Sequence, residues 1–356
     1  MNLCSVKTIE TKYLQELANK AINQALSSDE FTAIALELFT IHRQHNEVYK
    51  DWVSFLKINP ESVRSLNEIP FLPVRFFKSH QVLINTSQAK NPDIIFTSST
   101  TTGGIPSQHF VPDIEVYENS FMKGFQHFYG DPDDWTILAL LPGYLERSGS
   151  SLVYMAEKLI EQSKQAKSGF YLNDFDKLAE TLASFSGTDK KGLLIGVSFG
   201  LLDFIESNAF LSMQNHTIKN LCIMETGGMK GRRKELTRME LHENLTTAFG
   251  VKKIHSEYGM TELLSQAYSS GDGLFACPPW MKVMLRETDN PLKTIGDNST
   301  DSNTQNGGIN IIDLANTFSC PFIAVDDIGK MHANGQFEVL GRFDQSEVRG
   351  CNLMIE

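Results

Sequence analysis

The apolar positions along the chain follow three successive patterns. Between residues 9 and 56 they recur at helical spacing, as Leu14, Leu17, Ala21 and Ala25 and then Ile34, Leu38 and Ile41, with no Pro or Gly to interrupt them. This predicts a helical lead-in. Residues 58–92 carry Pro60, Pro70, Pro73 and Pro92, which suit an extended connection. From residue 93 short apolar runs alternate with helical patterns. Asp93–Thr97, Thr136–Leu141, Gly192–Val197 and Asn220–Met224 read as strands, and segments near 114–128, 149–164, 174–185, 199–212 and 233–249 as helices. Such alternation predicts an α/β fold with a mostly parallel sheet covered by helices. Toward the C-terminus the pattern turns β-like, in Trp280–Arg286, Ile309–Asp313, Phe322–Val325 and Gln336–Leu340, with a turn at Asn334-Gly335. Thr288–Gly308, poor in apolar residues, reads as a surface loop.

Composition fits a soluble globular protein. The chain has 356 residues, 41% hydrophobic and 21% charged, enough to bury a large core without staples. Its net charge of −11 repels phosphate backbones and anionic lipid surfaces, which argues against a nucleic-acid partner. It leaves a nucleotide possible, because backbone N–H groups can hold phosphates locally. The five cysteines (Cys4, Cys222, Cys277, Cys320 and Cys351) are odd in number and form no CxxC pair, which fits a reducing cytoplasm. The N-terminus lacks the apolar run of a signal peptide, and the longest apolar stretch, Leu193–Ile205, is too short to span a bilayer. His42 and His45 stand at i and i+3 with no third ligand nearby, and read as ordinary helix-surface residues.

Three constellations carry candidate chemistry. In the first, Phe96-Thr97 runs into Ser98-Ser99-Thr100-Thr101-Thr102-Gly103-Gly104-Ile105-Pro106-Ser107. Its hydroxyls can donate to phosphate oxygens, and its glycines let backbone N–H groups approach them; it also reads as a Ser/Thr-rich turn. It is not a Walker A sequence. The second, Glu257-Tyr258-Gly259-Met260-Thr261-Glu262, is a tight turn with a carboxylate behind it. That carboxylate suits Mg²⁺ beside a polyphosphate, or simple solvation. The third, Gly196-Val197-Ser198-Phe199-Gly200, matches the G-x-S-x-G nucleophile elbow, with His242, His255 and His332 and the acids Asp203, Asp313 and Asp327 available as triad partners. It implies a serine hydrolase or acyltransferase. Strand-to-helix turns favour the same residues for tightness and capping.

Taken in order, the first two constellations resemble the adenylate-forming (AMP-forming) acyl ligases. Thr97–Ser107 is similar to that family's phosphate loop, T-S-G-T-T-G-x-P-K, and Tyr258–Glu262 matches its Tyr-Gly-x-Thr-Glu at every fixed position. Asp327-Ile328-Gly329 resembles the family's Thr-Gly-Asp-Leu-Gly. Gly341-Arg342-Phe343-Asp344 with Arg349-Gly350 resembles its Gly-Arg-x-Asp hinge. Leu141–Arg147, Ser150–Met155, Glu225–Arg232 and the Ile311–Asp327 run look most like the acyl-protein synthetase of bacterial luminescence fatty acid reductase. Phenylacetate–CoA ligase is more distantly similar.

The resemblance implies ATP and Mg²⁺ as cofactors and a carboxylic, fatty acid as substrate. It implies that Ser98, Ser99, Thr101, Thr102 and Gly103 hold the β,γ-phosphates and that Thr261 contacts the α-phosphate. Glu262 would hold Mg²⁺, Tyr258 and Gly259 would line the nucleotide site, and Asp327 and Arg342 would hold the ribose. Cys351 would be the acyl acceptor, as the late cysteine of acyl-protein synthetases is, with CoA or a carrier-protein thiol as the other acceptors. An acyl-reductase or carrier protein is the implied partner. A non-catalytic descendant that binds an acyl adenylate is a further possibility.

Two departures stand out. Thr100 replaces the usual Gly of the phosphate loop, and Ser107 replaces a frequent Lys. The sequence also stops six residues after Gly350, so the reading expects the lid domain of relatives to be largely absent, with Lys230, Arg232 or Arg233, or a partner, supplying positive charge. The expected organisation is a helical region over 1–92, an adenylate-forming core over 93–341 that is β-rich from about 275, and a hinge or tail over 342–356.

Overall fold

The computed structural model describes residues 9–86, 91–99, 104–142, 149–213, 218–227, 236–295 and 304–343. The lead-in forms three helices, α1 (Thr11–Asn23), α2 (Ser28–His45) and α3 (Glu47–Phe55). Ser27 opens α2 with a capping box closed by Glu30, and Asn46 caps α3. The proline-rich connection is less extended than its sequence suggests. It folds into 3₁₀ turns at Pro60–Ser62, Leu66–Glu68 and Val74–Lys78, separated by the short strand β1 (Leu72–Pro73).

The helical lead-in is fused to the core. Thr317 donates its hydroxyl to the carbonyl of Leu14 at 3.1 Å, and Asn46 donates its amide to the carbonyl of Ser319 at 2.6 Å. His42 is fully buried and bonds the Thr317 carbonyl through Nε2 at 3.1 Å. The expectation that it lies on a helix surface is therefore wrong. Burial pushes its pKa down to about 3 and keeps it neutral.

Downstream come β2 (Ile94–Thr97), β3 (Gln108–Val111), α4 (Ile114–Tyr129), β4 (Trp135–Leu140), α5 (Ser151–Ser163), β5 (Gly169–Phe170), α6 (Phe175–Ala183), β6 (Lys191–Val197), α7 (Ser198–Ile205), α8 (Asn208–Met213), β7 (Leu221–Thr226) and α9 (Arg238–Phe249). They are followed by β8 (His255–Tyr258), β9 (Ala267–Ser269), β10 (Phe275–Ala276), β11 (Met281–Arg286), β12 (Thr304–Asp313), β13 (Phe322–His332) and β14 (Phe337–Arg342). One 12-stranded sheet runs β11-β12-β13-β14-β10-β9-β8-β7-β6-β4-β5, with β1 beside β13. Strands β5, β4, β6, β7 and β8 are parallel and carry the helices; from β8 onward neighbours are antiparallel. The α/β expectation and the β-rich end both hold, but the large sheet is mixed rather than mostly parallel, because the C-terminal strands join it as antiparallel neighbours.

Three elements differ from their sequence reading. Ile94–Thr97 does not join the parallel sheet. It pairs with β3 in a separate antiparallel ribbon, with Phe96 opposite His109 and Thr97 opposite Gln108. The Thr288–Gly308 loop is shortened, since β12 begins at Thr304. Its first residues look unlike a strand because Gly307 and Gly308 pack on Arg286, where a Cβ would come within 2.5 Å of the Arg286 carbonyl and 2.7 Å of its guanidinium carbon. Strand β8 has no apolar signature at all, because its buried positions are Ser256 and Glu257.

Candidate functional site

The Ser/Thr/Gly loop leaves β2 and returns into β3, and its two ends are tied together. The Ser98 amide donates to the Ser107 carbonyl at 3.1 Å, and the Ser107 amide donates to Ser98 Oγ at 2.8 Å. Ser107 is buried, and its hydroxyl opposes the rise that burial gives the Glu262 pKa, across 155 residues of sequence. Ser99 is exposed beside the stem. Thr100, Thr101, Thr102 and Gly103 lie outside the described residues.

Strand β8 delivers Glu257 and Tyr258 to the end of the parallel sheet. Glu257 accepts a hydrogen bond from Thr226 Oγ1 at 2.5 Å, and burial pushes its pKa up to about 7. Gly259 is required at the turn, since a Cβ there would lie 2.4 Å from Glu257 Oε1. Tyr258, whose ring packs against Phe275 and Phe337, donates its hydroxyl to Asp327 Oδ2 at 2.8 Å. Arg342 Nε donates to the other oxygen, Oδ1, at 3.0 Å. The β13–β14 pairing sets this last contact by placing Asp327 opposite Arg342.

The Thr261-Glu262 turn is held by buried groups that sequence reading missed. His109, on β3, donates Nδ1–H to the Thr261 carbonyl at 2.7 Å. Burial pushes its pKa down to about 4, which leaves it neutral. Asn316 donates its amide to the Glu262 carbonyl at 2.9 Å. Asp313, fully buried, accepts the amides of Leu264 and Ser265 on Oδ2 and the Ser265 hydroxyl on Oδ1. The sequence offered Asp313 as a triad acid; it is instead the brace behind the turn. Its local sequence, Asp313-Leu314-Ala315-Asn316, held no signal for this beyond polar residues in an apolar run. Glu262 itself is 5% exposed, and burial raises its pKa against the Ser107 hydrogen bond.

The third constellation does not assemble. Ser198 is buried at the start of α7, and its Oγ faces Glu225 Oε2 at 3.4 Å and the Gly227 carbonyl at 3.2 Å. The His242 imidazole meets the other Glu225 oxygen at 3.5 Å, not the serine. His255 faces the Tyr129 hydroxyl and His332 faces Glu338. A hydroxyl that points at acceptors, with no imidazole among the described residues to take its proton, lacks the geometry of an activated nucleophile. Cys222, Cys277 and Cys320 are free thiols, each pushed up to about 12 by burial, which disfavours the thiolate. Cys4, Lys230, Arg232, Arg233, Asp344, Arg349, Gly350 and Cys351 lie outside the described residues.

Residues 12–127 match the family model of the acyl-protein synthetase LuxE. Among solved structures, the chain is similar to an open conformation of 2-hydroxyisobutyryl-CoA ligase in complex with 2-HIB-AMP and CoA. That match has a TM-score of 0.65 and 13% identity, over 90% of this chain and 72% of that one. The chain carries the adenylate-forming ligase fold. The post-adenylation state of the same CoA ligase superposes with a TM-score of 0.61 and 13% identity, covering 91% and 70% of the two chains. ATP-bound MatB from Rhodopseudomonas palustris is similar at a TM-score of 0.50 and 17% identity, over 71% of this chain and 48% of that one. The chain thus spans about half the length of MatB. A search of the curated proteins finds no match. The family match falls on the helical lead-in, β2, β3 and α4.

Proposed function

We propose that the chain activates a carboxylic acid, a fatty acid by its resemblance, with ATP to form an acyl adenylate, and transfers the acyl group to a thiol. The observation that carries this reading is the convergence of separate segments. Ser98 and Ser107 close the stem of the hydroxyl-rich loop, and Tyr258, four residues before Glu262, bonds Asp327, which also holds Arg342. A polyphosphate-binding loop, a carboxylate and a ribose-type acid–cation pair along one turn suit a bound nucleoside triphosphate.

In the first step a carboxylate oxygen attacks the α-phosphorus and the bond to pyrophosphate breaks. The protein contributes position and electrostatic stabilisation. Ser98 and Ser99, with Thr101, Thr102 and Gly103, take the β,γ-phosphates; Thr261 takes the α-phosphate; Tyr258 and Gly259 flank the nucleoside; Asp327 and Arg342 take the ribose. In the second step a thiolate attacks the acyl carbon and AMP leaves. Cys351, CoA and a carrier-protein thiol are the acceptors to be distinguished, and an acyl reductase is the natural consumer of the product.

The donor set suits Mg²⁺ in one way only. Among the described residues no group of three or more His, Cys, Asp or Glu side chains could hold a metal. Mg²⁺ often takes one or two carboxylates and fills its shell with phosphate and water. Glu262, buried and raised by that burial, is a carboxylate that gains from such a cation. Bound there, Mg²⁺ would neutralise phosphate charge. No described helix is long and apolar enough to cross a membrane, and the free thiols suit a reducing cytoplasm.

Carboxylate-dependent exchange of labelled pyrophosphate into ATP tests the reading. Exchange with fatty acids is expected; none over a panel of fatty and aryl acids, with a reductase partner present, would overturn it. Nucleotide binding without exchange would identify a non-catalytic descendant. With ATP and labelled fatty acid the protein should gain a hydroxylamine-labile label, and Cys351→Ser should lose it.

A further inference from the structure

Tyr258 and the Asp327–Arg342 pair stand on opposite sides of a thin joint in the sheet. Tyr258 ends β8, whereas Asp327 and Arg342 lie on β13 and β14. Strand β10, two residues long, lies between the two sides. Among the described residues its one register pair with β14 is Phe275 opposite Phe337. Strands β13 and β14, by contrast, pair all the way from Asp327–Arg342 to Met331–Phe337. A ladder this short at β10 fixes the spacing across the joint poorly, and side chains must add to it.

Arg238 spans the joint. It is the first residue of α9, which Thr237 and Glu240 already cap, and a cation at that end opposes the helix dipole. Its contacts, not the helix, account for its place. Nη1 donates to the Val339 carbonyl of β14 at 3.2 Å, two residues beyond Phe337. The guanidinium carbon lies 5.0 Å from the centre of the Phe275 ring on β10, in cation–π contact. Nε stands 3.7 Å from Oε1 of Glu225, a buried carboxylate near the end of β7. One side chain thus touches three strands, on both sides of the joint. Phe275 in turn stacks on Phe337 at 5.4 Å and packs against the Tyr258 ring at 5.8 Å.

We propose that Arg238 is a positioning residue for the nucleoside, which sets the spacing between Tyr258 and the Asp327–Arg342 pair. This rests on the acyl-activation reading, which assigns those three residues to the nucleotide. Arg238 moves no proton and makes no bond in the reaction. Its planar fork serves a carbonyl, a carboxylate and a ring face at once, which the compact ammonium of a lysine does not reproduce.

The test uses the full chain carrying Arg238→Met, Arg238→Lys and Phe275→Leu. In Arg238→Met the AMP affinity read by calorimetry should fall about tenfold, the scale of a charged hydrogen bond and a cation–π contact together. In pyrophosphate exchange the KM for ATP should rise with it, while kcat at saturating ATP and KM for the fatty acid change less than about twofold. Binding of inorganic pyrophosphate should stay the same. Arg238→Lys should fall between Arg238→Met and wild type. Phe275→Leu removes the ring face, so adding it to Arg238→Met should weaken AMP binding by less than the two single losses combined. Unchanged AMP affinity in Arg238→Met, a fall in kcat with KM unchanged, or strict additivity of the two variants would overturn the assignment. If Arg238→Met does not fold, Arg238→Lys decides, and wild-type AMP affinity in that variant overturns it. A wild-type protein that binds AMP and exchanges pyrophosphate, beside an Arg238→Met that matches it, refutes Arg238 alone. A wild-type protein that does neither refutes the functional reading, and this inference falls with it.

Discussion

Tyr258 and Asp327, 69 residues apart, are joined by a 2.8 Å hydrogen bond from the phenol hydroxyl to Oδ2, and Arg342 occupies the other carboxylate oxygen at 3.0 Å. Asp327 is 5% exposed. Both its oxygens are thus already oriented by the protein, and each keeps a second lone pair for an incoming hydroxyl. On the proposed reading, that carboxylate is preorganised for the ribose.

From this follows a selective effect on nucleotide affinity. Asp327→Asn keeps the shape but removes the charge and turns one acceptor into a donor. AMP binding should weaken about 10–100-fold, the scale of one or two charge-assisted hydrogen bonds. Calorimetry with AMP and with inorganic pyrophosphate checks it: pyrophosphate affinity should change little.

Gly259→Ala should be costly to the fold. The new methyl would stand 2.4 Å from Glu257 Oε1, and Glu257 is itself fixed by Thr226. Overpacking of this kind costs about 1–3 kcal/mol, read as a lowered denaturation midpoint. An unchanged midpoint would show that the turn has room the structure does not display.

His109 should leave a signature in the pH dependence of stability. Its folded pKa is pushed down to about 4, against about 6.5 for a free histidine, so between those values the unfolded chain binds the extra proton. The stability it contributes is present above pH 6.5 and lost as pH falls toward 4, by about 3 kcal/mol. His109→Gln should be less stable than wild type at pH 7, and the gap should close on acidification. Urea titrations at pH 7 and pH 4.5 measure it; a constant gap would exclude the neutral, buried imidazole.

Ser198→Ala should retain pyrophosphate exchange, and the wild-type protein should resist fluorophosphonate probes. The hydroxyl faces Glu225 and a carbonyl, with no imidazole bonded to it among the described residues. Labelling that disappears in Ser198→Ala would show that the nucleophile geometry forms after all.

How much of this was legible in the sequence varies by element. The helices α1 to α3 and the strands β4, β6 and β7 were readable because each buries a periodic apolar set, and burial against a neighbouring layer is what the spacing encodes. The motifs around Tyr258, Glu262, Asp327 and Arg342 were readable as motifs. The polar strand β8 was not, because its inward residues are Ser256 and Glu257, satisfied by partners on other strands. The supporting groups His109, Asp313 and Asn316 carry no local pattern, since each acts on backbone atoms about 50 or more residues away.

The sequence by itself determined the α/β alternation, the β-rich end and the residue types available for phosphate, ribose and metal. Only the tertiary structure decided which of them meet. It joined Ser98 to Ser107, placed Tyr258 on Asp327, and kept every described histidine from hydrogen-bonding Ser198. The reason is physical. Local spacing fixes which face of an element is buried, whereas hydrogen bonds between distant segments depend on sheet order and register, which only the assembled core sets.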